Sequence, residues 1–284
     1  MLPSTKDALL IGVLRACALV AGAVLLLIVA FVARDSWPAL RDVGVTRFFT
    51  DSWSPTSAEP GFGITPMILA TLITSACAVA LATPIGIASA VFAQFYAPKR
   101  VATVQRRVIE LLAGIPSVVY GLWGLVVLVP LLLQFAPPGQ SLLAGVLVLT
   151  VMILPTVALM ADIAIAAVPA TTLQAAHALA LRRSSIVLKV ALPAARPGIM
   201  TGVVLAAGRA IGETMAVLMV CGNVVKVPGS FFDPVRTLTA NIALEMGYAL
   251  TDHRAALFVS GLCLLLVWMA LVAANGMARG TERA

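Results

Sequence analysis

Of the 284 residues, 61% are hydrophobic and 11% are charged, against roughly a quarter charged in a soluble domain, and the mean hydropathy is +1.05. A soluble globular domain could not hide that much apolar surface, and a disordered chain would not carry it, so the solvent is lipid. The net charge of +7, from 19 Lys+Arg against 12 Asp+Glu, is tested against membrane topology before nucleic acid is considered.

A spanning helix needs about 20 mostly apolar residues. Ala16–Ala33 is a charge-free run of 18. It predicts a helix near 11–33, too long for a signal-peptide core of about 7–15 residues, and so a span. An outer loop, 34–65, follows. Pro60–Pro98 carries no charge over 39 residues and predicts a span near 66–97. Leu111–Ala161, 51 residues, holds two crossings, near 108–134 and 141–161, because Gln134–Ser141 is a Pro/Gly breaker cluster. Pro116, Pro130 and Pro155 are candidate kinks within these spans. Ile163–Leu181 is also uncharged, but Pro169, Thr171, Thr172, Gln174 and His177 make it a short surface helix. Thr171 and Gln174 have capping-box spacing there. Ile199–Asn223, interrupted by Arg209 and Glu213, predicts a fifth span near 199–223. Ala255–Ala278 predicts the sixth, near 255–277.

Six helices put both ends on one side, with loops 98–107 and 162–198. That side holds twelve basic residues: Lys6, Arg15, Lys99, Arg100, Arg106, Arg107, Arg182, Arg183, Lys189, Arg196, Arg279 and Arg283. The other side holds six, Arg34, Arg41, Arg47, Lys226, Arg236 and Arg254. They stand against seven acids, Asp35, Asp42, Asp51, Glu59, Asp233, Glu245 and Asp252. The positive-inside rule puts both termini in the cytoplasm. The positive charge is then a cytoplasmic surplus, and no nucleic-acid partner is needed. The expected fold is all-α and polytopic. It forms one transmembrane domain over 1–284, with a core at 66–277, helix 1 and loop 34–65 as an N-terminal addition, and a cytoplasmic loop at 162–198.

Cys17, Cys77, Cys221 and Cys263 lack metal-ligand spacing, so neither a metal nor a disulfide is expected. No GxxxxGK[ST] phosphate loop occurs, so ATP is not expected on this chain. Trp37 and Trp53 are placed in the outer aromatic belt, and Trp123 and Trp268 against neighbouring helices. His177 and His253 are far apart in sequence, and neither is placed inside a span.

Arg209 and Glu213 lie in Gly208-Arg-Ala-Ile-Gly-Glu-Thr-Met-Ala216. The predicted helix centres near residue 211, so both flank the bilayer midplane, where Arg costs at least ~2.5 kcal/mol. Four apart on a helix, they share a face and partly neutralise each other, though Arg before Glu is the poorer order. A buried ion pair that fixes packing is one reading. A polar lining on a transport path, with Thr214 beside it, is the other, since intramembrane charges mark pathways. The planar fork of Arg suits a tetrahedral oxyanion. Glu213 suits the OH of a protonated phosphate, and would hold Arg209 when the site is empty. Gly208 and Gly212 leave space for close helix approach or for a solute.

The loop Gln174-Ala-Ala-His-Ala-Leu-Ala-Leu-Arg-Arg-Ser-Ser-Ile-Val-Leu-Lys-Val-Ala-Leu-Pro193 is Ala/Leu-rich at first, which favours helix. Ser184 or Ser185 is placed as the cap of a second short helix ending before Pro193. Two such helices suit docking of a soluble partner, or form an ordinary interfacial hairpin.

This loop resembles that of ABC importer permeases: E-A-A, three residues, G, nine residues, then I-x-L-P. Gln174-Ala175-Ala176, Ala180 and Val190-Ala191-Leu192-Pro193 keep the spacing. Gln174 stands for the acid and Ala180 for the glycine, a change that fits a helical backbone at 180 rather than a left-handed one. Glu110–Gly121, Met152-Ile-Leu-Pro155 and Gly208–Val217 resemble the permeases of the phosphate-specific (Pst) ABC importer. Gly61–Pro66, Met215–Val217 and Gly222-Asn223 are closer to the C-type than to the A-type subunit. The resemblance covers roughly 53–225. It implies the type I importer permease fold in a bacterial inner membrane. It also implies inorganic phosphate as substrate, an A-type sister permease forming a heterodimer, two ATPase subunits carrying ATP and Mg, and a periplasmic phosphate-binding protein. Gln174, Ala175, Ala176, Ala180, Arg182, Arg183, Leu192 and Pro193 would form the ATPase coupling loop, and Arg209, Glu213 and Thr214 the path, in a chain that is not an enzyme. Helix rocking would expose the path alternately to each side.

The alternatives are a permease for another oxyanion (phosphonate, molybdate or sulfate) or an autonomous secondary transporter. The coupling loop and the unrepeated helix-five motif argue against the latter. An intramembrane enzyme would need a nucleophile–base pair at membrane depth. The outer segment Lys226–Arg254 is an outer gate, a binding-protein contact or a plain connector, and loop 34–60 a further docking surface.

Overall fold

The computed structural model describes residues 5–50 and 52–281, and the side chains of 10–50 and 52–276. Lys6, Asp51, Arg279 and Arg283, used in the charge balance, lie outside those side chains. The order is α1 (Thr5–Ala39, prolonged by a π-turn Leu40–Gly44), α2 (Arg47–Thr50), β1 (Trp53–Ser54), β2 (Gly61–Phe62) and α3 (Thr65–Val91, prolonged by a π-turn Phe92–Tyr96). Next come α4 (Lys99–Ala113), α5 (Ser117–Trp123, with a π-turn Gly124–Leu128), α6 (Val129–Leu133), α7 (Leu142–Ala166), α8 (Ala170–Ala178) and α9 (Arg183–Ile186, with a π-turn Val187–Ala191). The last elements are α10 (Leu192–Ile211), α11 (Met215–Val220), α12 (Leu238–Glu245) and α13 (Thr251–Thr281). Five stretches among the described residues are long and apolar enough to cross a membrane: Leu10–Gly44, Thr65–Tyr96, Leu142–Ala166, Arg183–Ile211 and Thr251–Gly276. A sixth crossing forms if the bent pair Lys99–Gly114 and Ser117–Leu133 counts as one.

Three expectations are corrected. The third span does not begin near 108. Residues 99–113 form a separate helix, and the chain turns by 93° before Ser117. Pro116 causes the break, because its ring disfavours helical backbone at Ile115. On α4 the apolar Val101, Val104, Val108 and Leu111 are exposed. Their helical spacing beside Lys99, Arg100, Arg106 and Arg107 is that of an interfacial helix. The fifth span is not one helix over 199–223, since it breaks between Ile211 and Met215. Neither Ser184 nor Ser185 caps a short helix that stops before Pro193. α9 starts after Arg182 without a side-chain cap, and the helical path runs on through Pro193.

The chain packs as two units. One comprises residues 1–63 and 245–263. In it, β1 and β2 pair antiparallel, Trp53 opposite Phe62, and Phe31 of α1 meets Phe258 of α13 edge-on at 5.7 Å. His253, placed outside the spans from sequence, sits buried in the first turn of α13. Its Nε2 lies 2.8 Å from Glu245 Oε2, and Trp53 Nε1 donates to both Glu245 oxygens at 3.2 and 3.0 Å. The Trp53 indole N–H is thus held by a carboxylate.

The other unit comprises residues 64–244 and 264–284. Its centre is α7, apolar on all sides and buried along most of its length, as a helix enclosed by other helices must be. α3 turns small residues toward the core at every fourth position: Ala70, Thr74, Ala78, Ala82, Gly86 and Ala90. That stripe lets α7 approach closely. A Cβ on Gly86 would sit 2.8 Å from Val157 Cγ1. The hydroxyls this leaves in the interior bond back along the helix, Thr71 to Met67 O at 2.8 Å, and Thr74 and Ser75 to Ala70 O and Thr71 O at 2.6 Å. Trp268 packs on Gly208. Trp123, expected against other helices, is exposed.

Candidate functional site

The break in the fifth span places the charges. α10 ends at Ile211, Gly212 caps it, and Glu213 and Thr214 carry the chain to α11. A helix end leaves backbone groups without helical partners, and here neighbouring groups supply some of them. Glu213 Oε1 accepts the amide of Ala216 at 3.1 Å, so this side chain caps α11. Glu213 O accepts the hydroxyl of Thr239 at 2.7 Å. Thr239 belongs to the first turn of α12, which is also held through Leu238 N on Thr71 Oγ1 at 3.0 Å and Ala240 N on Thr237 Oγ1 at 3.2 Å. The segment between α11 and α13 therefore returns as far as the broken helix.

Arg209 is half-buried and lies one turn before Glu213, yet no ion pair joins them among the described residues. The expectation that Glu213 holds Arg209 is replaced by the two separate partners seen here. Arg209 Nη1 donates to Thr156 Oγ1 of α7 at 3.3 Å. That is one long bond for a group with five N–H donors. Gly208 serves helix packing, since a Cβ there would run into the ring of Trp268. Gly212 is exposed at the break. On the neighbouring helix a Cβ at Gly121 would lie 2.8 Å from Ala216 Cα, so α5 is pressed against α11. A cavity of about 660 Å³ bounded by α3, α10 and α13 is lined by Val79, Ala80, Ala207 and Leu271, and neither Arg209 nor Glu213 lines it. Its lining is mostly apolar, with Ser75 and Thr83 as its hydroxyl groups and no charged residue, so charge rather than volume locates the candidate path.

Above α11 the chain turns through Gly222 (φ +87°) and Asn223 (φ +56°), the left-handed region that Gly and Asn tolerate best. Residues 221–235 then fold back. Val235 N donates to Cys221 O at 2.8 Å, and Phe231 O and Asp233 O accept the first amides of α7, Leu143 N at 2.8 Å and Leu142 N at 2.9 Å. Asp233 also closes its own turn. Lys226 Nζ lies 2.8 Å from Oδ1, and Gly229 N and Ser230 N donate to Oδ2 at 2.8 and 3.0 Å. The Lys226 hydrogen bond, then the Gly229 amide, hold this carboxyl below its usual range. A lowered folded-state pKa contributes order above the ordinary value of about 3.9, and that order is lost as pH falls through the lowered value. Amide-exchange protection at Gly229 and Ser230 is expected to be level from about pH 5 upward and to fall below about pH 4. Asp233→Asn should lose it at neutral pH. Equal protection in wild type and variant would remove the carboxylate from this role.

The loop between α7 and α10 forms the second candidate surface. α8 starts after Pro169, not at a Thr171 capping box, and no side chain caps it. Gln174, Ala175, Ala180, Arg182, Arg183 and Pro193 are exposed, Leu192 is half-buried and Ala176 is buried. Leu179, at the end of α8, is 75% exposed. Ala180 has φ +53°, which corrects the expected helical backbone there. Ala180 N donates to His177 O at 2.9 Å and Leu181 N to Ala176 O at 3.4 Å. Those two bonds make a Schellman ending whose left-handed position normally holds glycine. Alanine pays about 1 kcal/mol there, so Ala180→Gly should slow amide exchange at Ala180 and Leu181 about fivefold. Unchanged or faster exchange would refute the strain.

Sequence reasoning missed four groups: Thr156 and Thr239, Gln94, and the pair Arg106–Asp162. Arg106 Nε and Nη2 donate to Asp162 Oδ2 and Oδ1 at 2.8 and 3.1 Å, and Gln94 Nε2 donates to Asp162 Oδ1 at 2.8 Å. The hydrogen bond to Asp162 raises the Arg106 pKa further above its ordinary value. Asp162 carried a signal, as an acid closing a 51-residue uncharged run at the start of a loop, 162–198, that is otherwise only basic.

Residues 82–278 match the family of binding-protein-dependent transport system inner membrane components. The chain is 40% identical over 262 residues to a probable ABC transporter permease protein, YqgH, of Bacillus subtilis, covering 90% of this chain and 85% of that protein. It is 35% identical over 260 residues to the phosphate transport system permease protein PstC of Mesorhizobium japonicum, covering 84% and 79%. It is 33% identical over 290 residues to PstC 1 of Mycobacterium tuberculosis, covering 88% and 86%. Among solved structures, the inward-facing MetNI methionine ABC transporter superposes with a TM-score of 0.62 at 18% identity, over 75% of this chain and 92% of that one.

Proposed function

Because the chain belongs to the binding-protein-dependent transport system inner membrane components, a family of transport permeases rather than enzymes, we propose that it carries inorganic phosphate through the membrane. One observation carries the phosphate reading. Arg209 is half-buried beside a broken span and spends one donor, at 3.3 Å, on Thr156. A guanidinium so placed offers its planar fork to a tetrahedral oxyanion. Glu213 and Thr214 at the same break complete the polar lining. The PstC names of two relatives support the same substrate.

In this reading the chain pairs with an A-type sister permease in a bacterial inner membrane, with both termini cytoplasmic. A periplasmic phosphate-binding protein delivers the anion. Of the two ATPase subunits, which hold ATP and Mg, one docks on the coupling loop at Gln174–Pro193. A second reading is another oxyanion, since the name of the YqgH relative states a transporter type and leaves the substrate open. The test is uptake in liposomes by the chain reconstituted with its partner subunits. Phosphate uptake should require ATP and resist excess sulfate, molybdate and phosphonate. Preferential uptake of a competitor would replace phosphate, and uptake without ATPase subunits would replace the importer reading.

A further inference from the structure

The short π-turn Phe92–Tyr96 that ends α3 is tied to the chain on both sides of α8. On the side before it, Asp162 stands four residues from the end of α7 at Ala166. Its carboxylate accepts Gln94 Nε2 at 2.8 Å and, through both oxygens, the Arg106 fork of α4. On the side after it, Arg183, the first residue of α9, lies over the Tyr96 ring at 5.3 Å from the centroid. α4 is held to α3 a second time, by Gln105 Nε2 on Ser89 O and Oγ at 3.0 and 2.8 Å.

The side chains of Arg106 and Asp162 are 38% and 18% exposed, and pairs so open to solvent add little stability. What the arrangement supplies is geometry. A bidentate fork fixes direction as well as distance, and a cation over a ring persists while charge and ring stay in register. π-turns recur at functional sites, where the extra residue loosens the helix locally. A displacement of α8 therefore reaches this turn by two routes, one through each flank, and passes on to α4 through Arg106.

We propose that the Phe92–Tyr96 turn receives the stroke of the coupling loop, with Asp162 and Tyr96 as its positioning residues. This rests on the coupling-loop reading above. The test is phosphate taken up per ATP hydrolysed, by the complete transporter in proteoliposomes. Tyr96→Ala and Asp162→Asn should each lower that ratio at least fivefold. The KM for phosphate should stay within twofold, and the ATPase subunits should still copurify. Tyr96→Phe, which keeps the ring under Arg183, should retain the wild-type ratio. A wild-type ratio in either Tyr96→Ala or Asp162→Asn overturns the assignment, as does a fall in Tyr96→Phe as deep as in Tyr96→Ala. Ala175→Glu in the same assay separates the two readings. If it releases the ATPase subunits while Tyr96→Ala keeps its ratio, the loop docks and the receiver alone is wrong. If the ATPase subunits stay bound, the docking reading itself fails.

Discussion

Phosphate uptake by the assembled transporter should fall about a hundredfold when Arg209 is replaced by alanine. A hydrogen bond to a charged group contributes about 1.5–3 kcal/mol, and a two-pronged grip on one anion is taken as roughly 3 kcal/mol in all, about two decades in rate. Arg209→Lys keeps the charge but not the fork, so it should lose roughly tenfold. Thr156→Ala should cost less than either, because its hydroxyl only steadies Nη1 at 3.3 Å. Glu213→Gln is the informative neighbour. Its Oε1 can still accept the Ala216 amide, now at 3.1 Å, so α11 keeps its cap and a change in transport reports the lost charge. Initial rates with radiolabelled phosphate, normalised to inserted protein, decide the matter. An Arg209→Ala rate within threefold of wild type would end the pathway role.

The spans were legible because lipid demands long apolar runs, and their ends moved where other forces took over. The end of α4 was drawn into the third span because Val108 and Leu111 feed the same hydropathy count as a crossing, while its start fell in the expected loop 98–107. Only Pro116 marks the turn away from it. The break after Ile211 had no comparable mark, since a lone Gly212 is tolerated inside a helix. What stabilises the break is partly remote, the Thr239 hydroxyl on Glu213 O, 26 residues away, and partly the Glu213 side chain turned to the Ala216 amide of α11 instead of to Arg209. For the same reason the pairing of Arg209 with Glu213 was misjudged, because four-residue spacing implies a shared face only while the helix is unbroken. Ala180 misled in the opposite direction. Alanine signals helix, and two backbone bonds of the loop hold it left-handed regardless. Contacts such as Trp53 to Glu245, 192 residues apart, leave no trace in local spacing.

The second large effect is expected at Ala175. Ala175 and Ala176 stand side by side in the coupling-loop pattern, but the fold treats them differently. Ala176 is buried within the loop and its carbonyl accepts Leu181 N, whereas Ala175 is exposed on α8. A glutamate at 176 would unfold the loop and say nothing about docking. A glutamate at 175 leaves the loop intact and sets a carboxylate on the surface proposed to meet the ATPase. Burying that charge without a partner costs several kcal/mol, so ATPase affinity should drop at least about a hundredfold, since each 1.4 kcal/mol is a factor of ten. Leu179, most of whose surface is open, should contribute apolar contact to the same docking, and Leu179→Ala should weaken it by about tenfold. Ala175→Ser, similar in size and uncharged, should be neutral. The measurements are copurification of the ATPase subunits and phosphate-driven ATP hydrolysis in the complete complex. Both should vanish in Ala175→Glu while the permease still inserts. Normal phosphate-driven hydrolysis in that variant would mean that the ATPase sits elsewhere on the chain.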